Sequence, residues 1–201
     1  MIKAIIFDFD GVLVNSIKFH IKKIKELFGI KLTEQEFRQI HTGNFFDSKA
    51  KNLSGLDWEK YRDFIYRDQS MHILDDKIKE ILRMLHKDYM LFIVSSGGTR
   101  NIADFLRNNN ALGFFNEVLG LESSRSKEEK FKMIFAKYSL TPDECVFITD
   151  TLGDIIEANN AGIRTIAVSF GFHDRKTLEK GNPVAVVDDF DALYNLLLVM
   201  S

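Results

Sequence analysis

The feature that most constrains the fold is a series of short apolar runs, rich in β-branched residues, that alternate with longer amphipathic segments. Continuous apolar runs suit strands that are covered on both faces, and their alternation with helical patterns favours a parallel α/β sheet. The 201-residue chain is 45% hydrophobic, which suffices for one core domain or a core domain with an insertion. The predicted strands are AIIF from Ala4, MLFIVSS from Met90, CVFITD from Cys145, RTIAVSF from Arg164 and VAVVDD from Val184.

A long stretch without a strand signal separates the first two runs. Its apolar residues recur at helical spacing, as in Ile17, Ile21 and Ile24, and Thr33 with Glu36 forms a capping-box pattern. We therefore predict an all-helical insertion over residues 17–74, between two core segments at 1–16 and 75–201.

Charge and composition disfavour several classes of partner. A formal net charge of −2 gives no general electrostatic reason to bind nucleic acid or acidic lipid. The chain starts without a signal-peptide pattern, has no apolar stretch long enough to cross a bilayer, and contains a single cysteine, Cys145. These observations predict a cytoplasmic protein with no membrane or nucleic-acid partner and no internal disulfide.

Two aspartates, Asp8 and Asp10, follow the first apolar run with one phenylalanine between them. Side chains two residues apart in a strand point the same way, so these carboxylates are expected to project together from the end of a buried strand. Like charges repel there unless something neutralises them, and a divalent cation is the simplest answer. The alternative is an ordinary turn with aspartate before glycine.

Hydroxyls and glycines follow the second run. Ser95 and Ser96 precede Gly97 and Gly98, and a helical segment comes next. Hydroxyl groups, permissive glycines and the free N–H groups of a helix N-terminus together form an anion site. The same residues also suit an ordinary helix cap with a tight turn.

A lysine and two further aspartates belong to the later runs. Asp150 ends CVFITD and Asp154 lies in the first turn of the next helix, where acidic residues are also favoured for structural reasons. Lys127 stands in the first turn of the preceding helix, where the helix dipole disfavours a cation. Lys127 is therefore either part of a functional site or one of many solvent-exposed surface charges.

These residues converge at one edge of the predicted sheet. Ligands of open parallel sheets bind beyond the C-terminal ends of the strands, where Asp8, Asp10, Ser95 and Asp150 all fall. Carboxylates suit Mg²⁺, a hydroxyl and a lysine suit phosphate oxygens, and a carboxylate can attack phosphorus. The pattern indicates phosphoryl-transfer chemistry.

Four segments in this order resemble the haloacid dehalogenase superfamily: FDFDGVLVNS, FIVSSG, SKEEKF and FITDTLGD. The insertion resembles the helical cap of its branch with phosphoglycolate phosphatase and β-phosphoglucomutase. The resemblance implies a Rossmann-like core with a small helical cap and a Mg²⁺-dependent phosphatase. A cap that closes over the site favours a small phosphorylated metabolite as substrate.

The resemblance also implies a role for each site residue. Asp8 is the nucleophile that forms a phosphoaspartate, and Asp10 is the general acid and base. Ser95 binds the transferring phosphoryl group, and Lys127 balances its charge. The implied Mg²⁺ ligands are Asp8, the backbone carbonyl of Asp10, Asp150 and Asp154, and the implied substrate contacts are Gly11, Ser96 and Gly97, with backbone N–H groups of Phe9 and Asp10.

Several alternatives stay open. Arg125 or Lys130 could stand in for Lys127, because the lysine–proline pair of many relatives is absent. A phosphomutase would use the same residues, and a regulatory phosphoacceptor or a binding module is the alternative outside enzymes. Specificity residues are expected near His41, Asn44 and Lys49, although ordinary loop residues are the simpler interpretation.

Overall fold

The core is a six-stranded sheet in a computed structural model that describes residues 1–40 and 73–200. The strands are β1 (Ala4–Phe7), β2 (Met90–Val94), β3 (Glu117–Leu119), β4 (Cys145–Thr149), β5 (Arg164–Val168) and β6 (Ala185–Val187). Their order in the sheet is β3-β2-β1-β4-β5-β6, and every neighbouring pair runs parallel. The predicted parallel α/β class is confirmed.

Helices connect the strands. Within the described residues they are α1 (Ile17–Phe28), α2 (Glu34–Ile40), α3 (Asp76–Leu85), α4 (Thr99–Asn108), α5 (Lys127–Tyr138), α6 (Leu152–Asn160), α7 (Arg175–Leu178) and α8 (Phe190–Val199). None of the helices in these two ranges combines the length and apolarity needed to span a membrane.

The central strand β1 is buried on both faces, as its continuous apolar sequence predicts. Alternate residues of a strand point to opposite faces. Ile5 and Phe7 therefore pack in one cluster with residues of α3, α4 and α8, whereas Ala4 and Ile6 pack in a second cluster with residues of α5 and α6. This burial holds the end of β1, and the aspartates that follow it, in a fixed place.

The sequence missed one strand and predicted the capping box at the start of α2. β3 has only three residues, too few to give a periodic signal. In α2 the predicted capping box is confirmed, because Thr33 N–H donates to Glu36 Oε2 at 2.8 Å and Glu36 N–H donates to Thr33 Oγ1 at 3.2 Å.

Residues 41–72, with His41, Asn44 and Lys49, lie outside the described residues, and the domain division stays a prediction.

Adjacent strands carry the candidate residues to one point. The chain passes from β1 to β2 on one side, while β4 lies on the other side of β1. Asp8 follows β1, Asp150 follows β4 and Ser95 follows β2. Since ligands of such sheets bind where the strand order reverses, the topology places these side chains at the expected binding edge.

Candidate active site

Lys127 joins two of the aspartates that the sequence singled out. Its Nζ lies 2.6 Å from Asp8 Oδ2 and 2.8 Å from Asp154 Oδ2, and the lysine is buried. Ser126 caps α5 and Glu157 accepts the Lys127 N–H at 2.6 Å, which together fix the start of the helix. The lysine is therefore part of a buried ion cluster rather than a surface charge.

Asp8 is held on both carboxylate oxygens. Phe9 N–H donates to Asp8 Oδ1 at 2.7 Å, Lys127 donates to Oδ2, and the Asp8 N–H continues the β1–β4 ladder to Ile148. Burial raises the pKa of Asp8 well above its usual range; Lys127 opposes this rise, and Asp154 adds to it. A further positive charge at this point would favour the ionised carboxylate.

Asp150 presents one buried oxygen with no partner in the described part of the chain. Its Oδ2 accepts the Phe172 N–H at 2.6 Å, while Oδ1 has no hydrogen bond. Burial raises the pKa of Asp150 to about 7, although the Phe172 hydrogen bond opposes the shift. A buried carboxylate oxygen without a donor is costly unless something else satisfies it.

Two glycines make room for Asp150. A Cβ at Gly11 would lie 1.8 Å from Asp150 Oδ2, and a Cβ at Gly171 would lie 2.3 Å from the same oxygen. Gly11 also adopts φ +78, which favours glycine in its own right. The glycine of the first motif is thus required by the close approach of Asp150.

Three carboxylates fit a divalent cation. Asp8, Asp150 and Asp154 each offer an oxygen, and these ligand atoms all lie within 4.8 Å of one another. Asp154 is oriented by Thr149, whose hydroxyl donates to Asp154 Oδ2 at 3.0 Å. Hard cations such as Mg²⁺ prefer carboxylate oxygens, and a cation bound here would satisfy the unpartnered Asp150 Oδ1.

The Asp10 side chain lies outside this group and has a partner that sequence reasoning missed. His20 Nε2, in α1, lies 3.4 Å from Asp10 Oδ1, and the His20 ring stacks on Phe37 of α2. Burial raises the pKa of Asp10, but His20, Ser16 and Lys127 together outweigh it and the net shift is downward. Only the packing of α1 brings the two residues together, and no local pattern indicates it. The expected contribution of the Asp10 carbonyl to a metal stays a prediction.

The Ser95 segment is organised by a second lysine. Lys130 is fully buried and donates to the Ser95 carbonyl at 2.5 Å, and Gly97 N–H donates to Ser95 Oγ at 3.0 Å. Burial, followed by the charge of Lys127, lowers the pKa of Lys130 to about 8. Arg125 is exposed, so of the three candidate cations Lys127 is the one in contact with Asp8.

The start of α4 is partly occupied by a carboxylate. Glu122 Oε2 accepts the Thr99 N–H at 2.7 Å, so this helix N-terminus already has an acidic cap. This contact occupies one of the N–H groups on which the predicted anion site depends, and the site stays a prediction. The contacts of Gly11, Ser96 and Gly97 with a substrate stay predictions.

Comparisons with known proteins identify the family of the chain. A sequence model of the haloacid dehalogenase-like hydrolases matches residues 5–168. A phosphoglycolate phosphatase of Haemophilus influenzae is 25% identical in an alignment that covers 97% of this chain and 98% of that protein. A phosphoglycolate phosphatase of Vibrio vulnificus is 25% identical in an alignment that covers 98% of this chain and 97% of that protein.

Solved structures share the fold. A haloacid dehalogenase-like family hydrolase from Streptococcus pneumoniae matches with a TM-score of 0.79 at 24% identity, over 97% of this chain and 98% of that one. A hydrolase from Pseudomonas syringae matches with a TM-score of 0.78 at 21% identity, over 99% of each chain. The architecture is common to all three chains.

Proposed function

The chain belongs to the haloacid dehalogenase-like hydrolase family, and on this premise we propose that it is a Mg²⁺-dependent phosphatase with Asp8 as its nucleophile. The observation that carries the proposal is the ion cluster. Lys127 bridges Asp8 and Asp154, next to a buried Asp150 oxygen that lacks a hydrogen-bond donor among the described residues. Phosphoryl transfer requires this kind of positioned charge more than elaborate covalent machinery.

The substrate class we propose is a small phosphate monoester. The relatives from Haemophilus influenzae and Vibrio vulnificus are named phosphoglycolate phosphatase and cover nearly the whole chain. Asp8 and Lys127 are almost fully buried, so a reactive phosphate group has to enter an enclosed site. 2-Phosphoglycolate is therefore the first compound to test, followed by other small phosphate esters.

The first chemical step forms a phosphoaspartate. An Asp8 carboxylate oxygen attacks phosphorus, and the bond between phosphorus and the ester oxygen breaks. Asp10, which carries the proton taken up in the preceding turnover, gives it to the departing oxygen, and its lowered pKa makes it a stronger acid for this step. The two aspartates are suited to different tasks, because Asp8 is held by Lys127 and Phe9 whereas Asp10 is held by His20.

The second step regenerates the enzyme. A water molecule attacks the phosphorus atom bound to Asp8, and Asp10 accepts a proton from that water. The bond between phosphorus and the Asp8 oxygen breaks, and inorganic phosphate leaves. Asp10 thus serves as the acid in one step and the base in the other.

Charge stabilisation comes from cationic and polar groups around the phosphoryl position. Lys127 lies next to the Asp8 nucleophile, and a hydrogen bond from the Gly97 N–H orients the Ser95 hydroxyl. When bound to Asp8, Asp150 and Asp154, Mg²⁺ supplies the positive charge that offsets the phosphoryl oxygens.

The test is release of inorganic phosphate from a panel of small phosphate esters, with Mg²⁺ and with a chelator. We expect release that depends on Mg²⁺ and is lost in Asp8→Asn. Release that is equal in the wild type and in Asp8→Asn would overturn the assignment of the nucleophile. Interconversion of sugar phosphates without phosphate release would indicate a phosphomutase instead.

A further inference from the structure

We propose that Arg38 is a positioning residue for the metal ligand Asp150, and that it acts through the peptide bond between Gly171 and Phe172. The inference rests on the proposed function, because it takes Asp150 to be a Mg²⁺ ligand. It concerns a residue of α2, which lies far from Asp150 in the sequence and belongs to none of the four motifs.

A single peptide unit connects the two side chains. The Arg38 guanidinium donates to the Gly171 carbonyl and, at 2.5 Å, to the Phe172 carbonyl. The N–H of Phe172, which belongs to the same peptide unit as the Gly171 carbonyl, donates to Asp150 Oδ2 at 2.6 Å. In a trans peptide the C=O and N–H point in opposite directions. Arg38 therefore holds the carbonyl edge of this peptide plane, and Asp150 accepts the hydrogen bond from its N–H edge.

Asp150 has little room to adjust if this peptide turns. A Cβ at Gly171 would lie 2.3 Å from Asp150 Cβ, and His173 N–H donates to the Asp150 carbonyl at 3.1 Å. Three consecutive residues of the loop after β5 thus enclose the aspartate. A rotation of the peptide would move Oδ2, and with it the unpartnered Oδ1 that we assign to the metal.

The link also has a polar component. A guanidinium bound to a carbonyl polarises the peptide, which strengthens the N–H on its other side as a donor. Arg38 thereby strengthens the hydrogen bond by which the Phe172 N–H holds Asp150 Oδ2 in place.

Apolar packing also holds α2 against the loop after β5. The Phe37 and Phe172 rings meet edge to face with centroids 5.6 Å apart, and both side chains are buried in a cluster with Ile17 and Ile24 of α1. The contact between α2 and the loop thus combines an apolar anchor with the Arg38 hydrogen bonds. Seating of α2 and metal affinity should be coupled through this contact.

The experiment measures binding of Mn²⁺, as a spectroscopic substitute for Mg²⁺, to the full-length wild type and to Arg38→Met. Loss of groups that orient a metal ligand typically weakens metal binding by about 10- to 100-fold, so we expect an increase of at least roughly tenfold in the Mn²⁺ Kd. Glu34→Gln is the matched control. It removes the charge of Glu34, which forms an ion pair with Arg38 at 3.9 Å, and leaves the carbonyl contacts of Arg38 in place. Its Mn²⁺ affinity should equal that of the wild type.

Arg38→Lys keeps a cation but loses the planar guanidinium, whose Nη1 alone donates to both carbonyls, so we expect an intermediate Mn²⁺ Kd. This variant also serves if Arg38→Met does not fold. Unchanged Mn²⁺ affinity in both Arg38 variants, with a wild type that binds Mn²⁺, would overturn the inference and leave the proposed function intact. A wild type that binds neither Mn²⁺ nor Mg²⁺ would overturn both.

Discussion

Lys127 Nζ lies 2.6 Å from Asp8 Oδ2, although the two residues are 119 positions apart in the sequence. Burial lowers the pKa of Lys127, but Asp154 and Asp8 outweigh it and the net shift is upward, so the lysine stays charged. The Asp8 carboxylate, which we propose as the nucleophile, is therefore oriented and partly neutralised before any substrate arrives. Removing one member of such a cluster leaves a buried charge uncompensated.

Lys127→Met tests this relationship. We expect kcat for phosphate release to fall about a hundredfold or more, because a positioned cation at the developing charge is lost. Lys132→Met is the control, since Lys132 lies on the same helix but is exposed and paired with Glu128 and Glu129. A kcat near that of the wild type in Lys127→Met would contradict the role of this lysine.

Gly11→Ala should disturb the three-carboxylate group by displacing Asp150. Gly11 and Gly29 have similar positive φ angles, +78 and +71, but a Cβ at Gly29 would meet nothing within 4 Å whereas one at Gly11 would collide with Asp150. Both alanine variants should lose about 1 kcal/mol of stability from the backbone alone. Only Gly11→Ala should weaken Mn²⁺ binding, as measured by titration. Equal Mn²⁺ affinity in the two variants would show that Asp150 tolerates displacement.

His20→Phe tests the partner of Asp10. Phenylalanine keeps a ring against Phe37 and removes the nitrogen that lies 3.4 Å from Asp10 Oδ1. Proton transfer by a positioned group contributes about 10²- to 10⁴-fold to a rate, and loss of the contact that positions Asp10 removes part of this, so kcat should fall roughly tenfold to a hundredfold. Mn²⁺ affinity should stay constant, because the Asp10 side chain lies outside the three-carboxylate group. A fall in Mn²⁺ affinity with unchanged kcat would contradict this division of roles.

Lys130 should make stability depend on pH. Its pKa is lowered from 10.5 to about 8 by burial and then by Lys127, while Asp8, Asp154 and Glu157 oppose the shift. Between these values the unfolded chain holds the proton that the folded chain has released. The free energy of unfolding contributed by this group therefore rises with pH from about 8 to 10.5, by at most about 1.4 kcal/mol per pH unit.

Denaturant unfolding of the wild type and Lys130→Met between pH 7 and pH 10 measures this contribution. Groups common to both proteins cancel in the difference, and the wild type should gain stability relative to Lys130→Met as the pH rises. Lys132→Met, in which an exposed lysine is replaced, should run parallel to the wild type. A pH-independent difference for Lys130→Met would show that the buried ammonium keeps its ordinary pKa.

The fold and the location of the site follow from local sequence patterns. Continuous apolar runs such as AIIF identify buried strands without knowledge of their neighbours, and β4 and β5 followed the same rule. Residues after such strands must gather at one edge, which is why Asp8 and Asp150 were found. β3 was not predicted, because a strand of three residues is too short to give a recognisable pattern.

Other features depend on packing that no local pattern encodes. Lys127 and Lys130 are three residues apart on one helix, so both share a face, and only the assembled sheet shows that one meets Asp8 and the other the Ser95 carbonyl. His20 and Arg38 act through contacts across helices and loops, at separations up to 134 residues. Their residue types alone indicate nothing about these partners.

The central claim is that the phosphoryl group is transferred to Asp8, and chemical trapping tests it most directly. The wild type is incubated with Mg²⁺ and its best phosphate ester, quenched, and reduced with borohydride, which converts an acyl phosphate to an alcohol. Mass spectrometry of the peptide that contains Phe7 to Leu13 should locate the reduced residue at Asp8, and Asp8→Asn should show none. Phosphate release by a wild type in which Asp8 is never reduced, or reduction at another residue, would contradict the proposed mechanism.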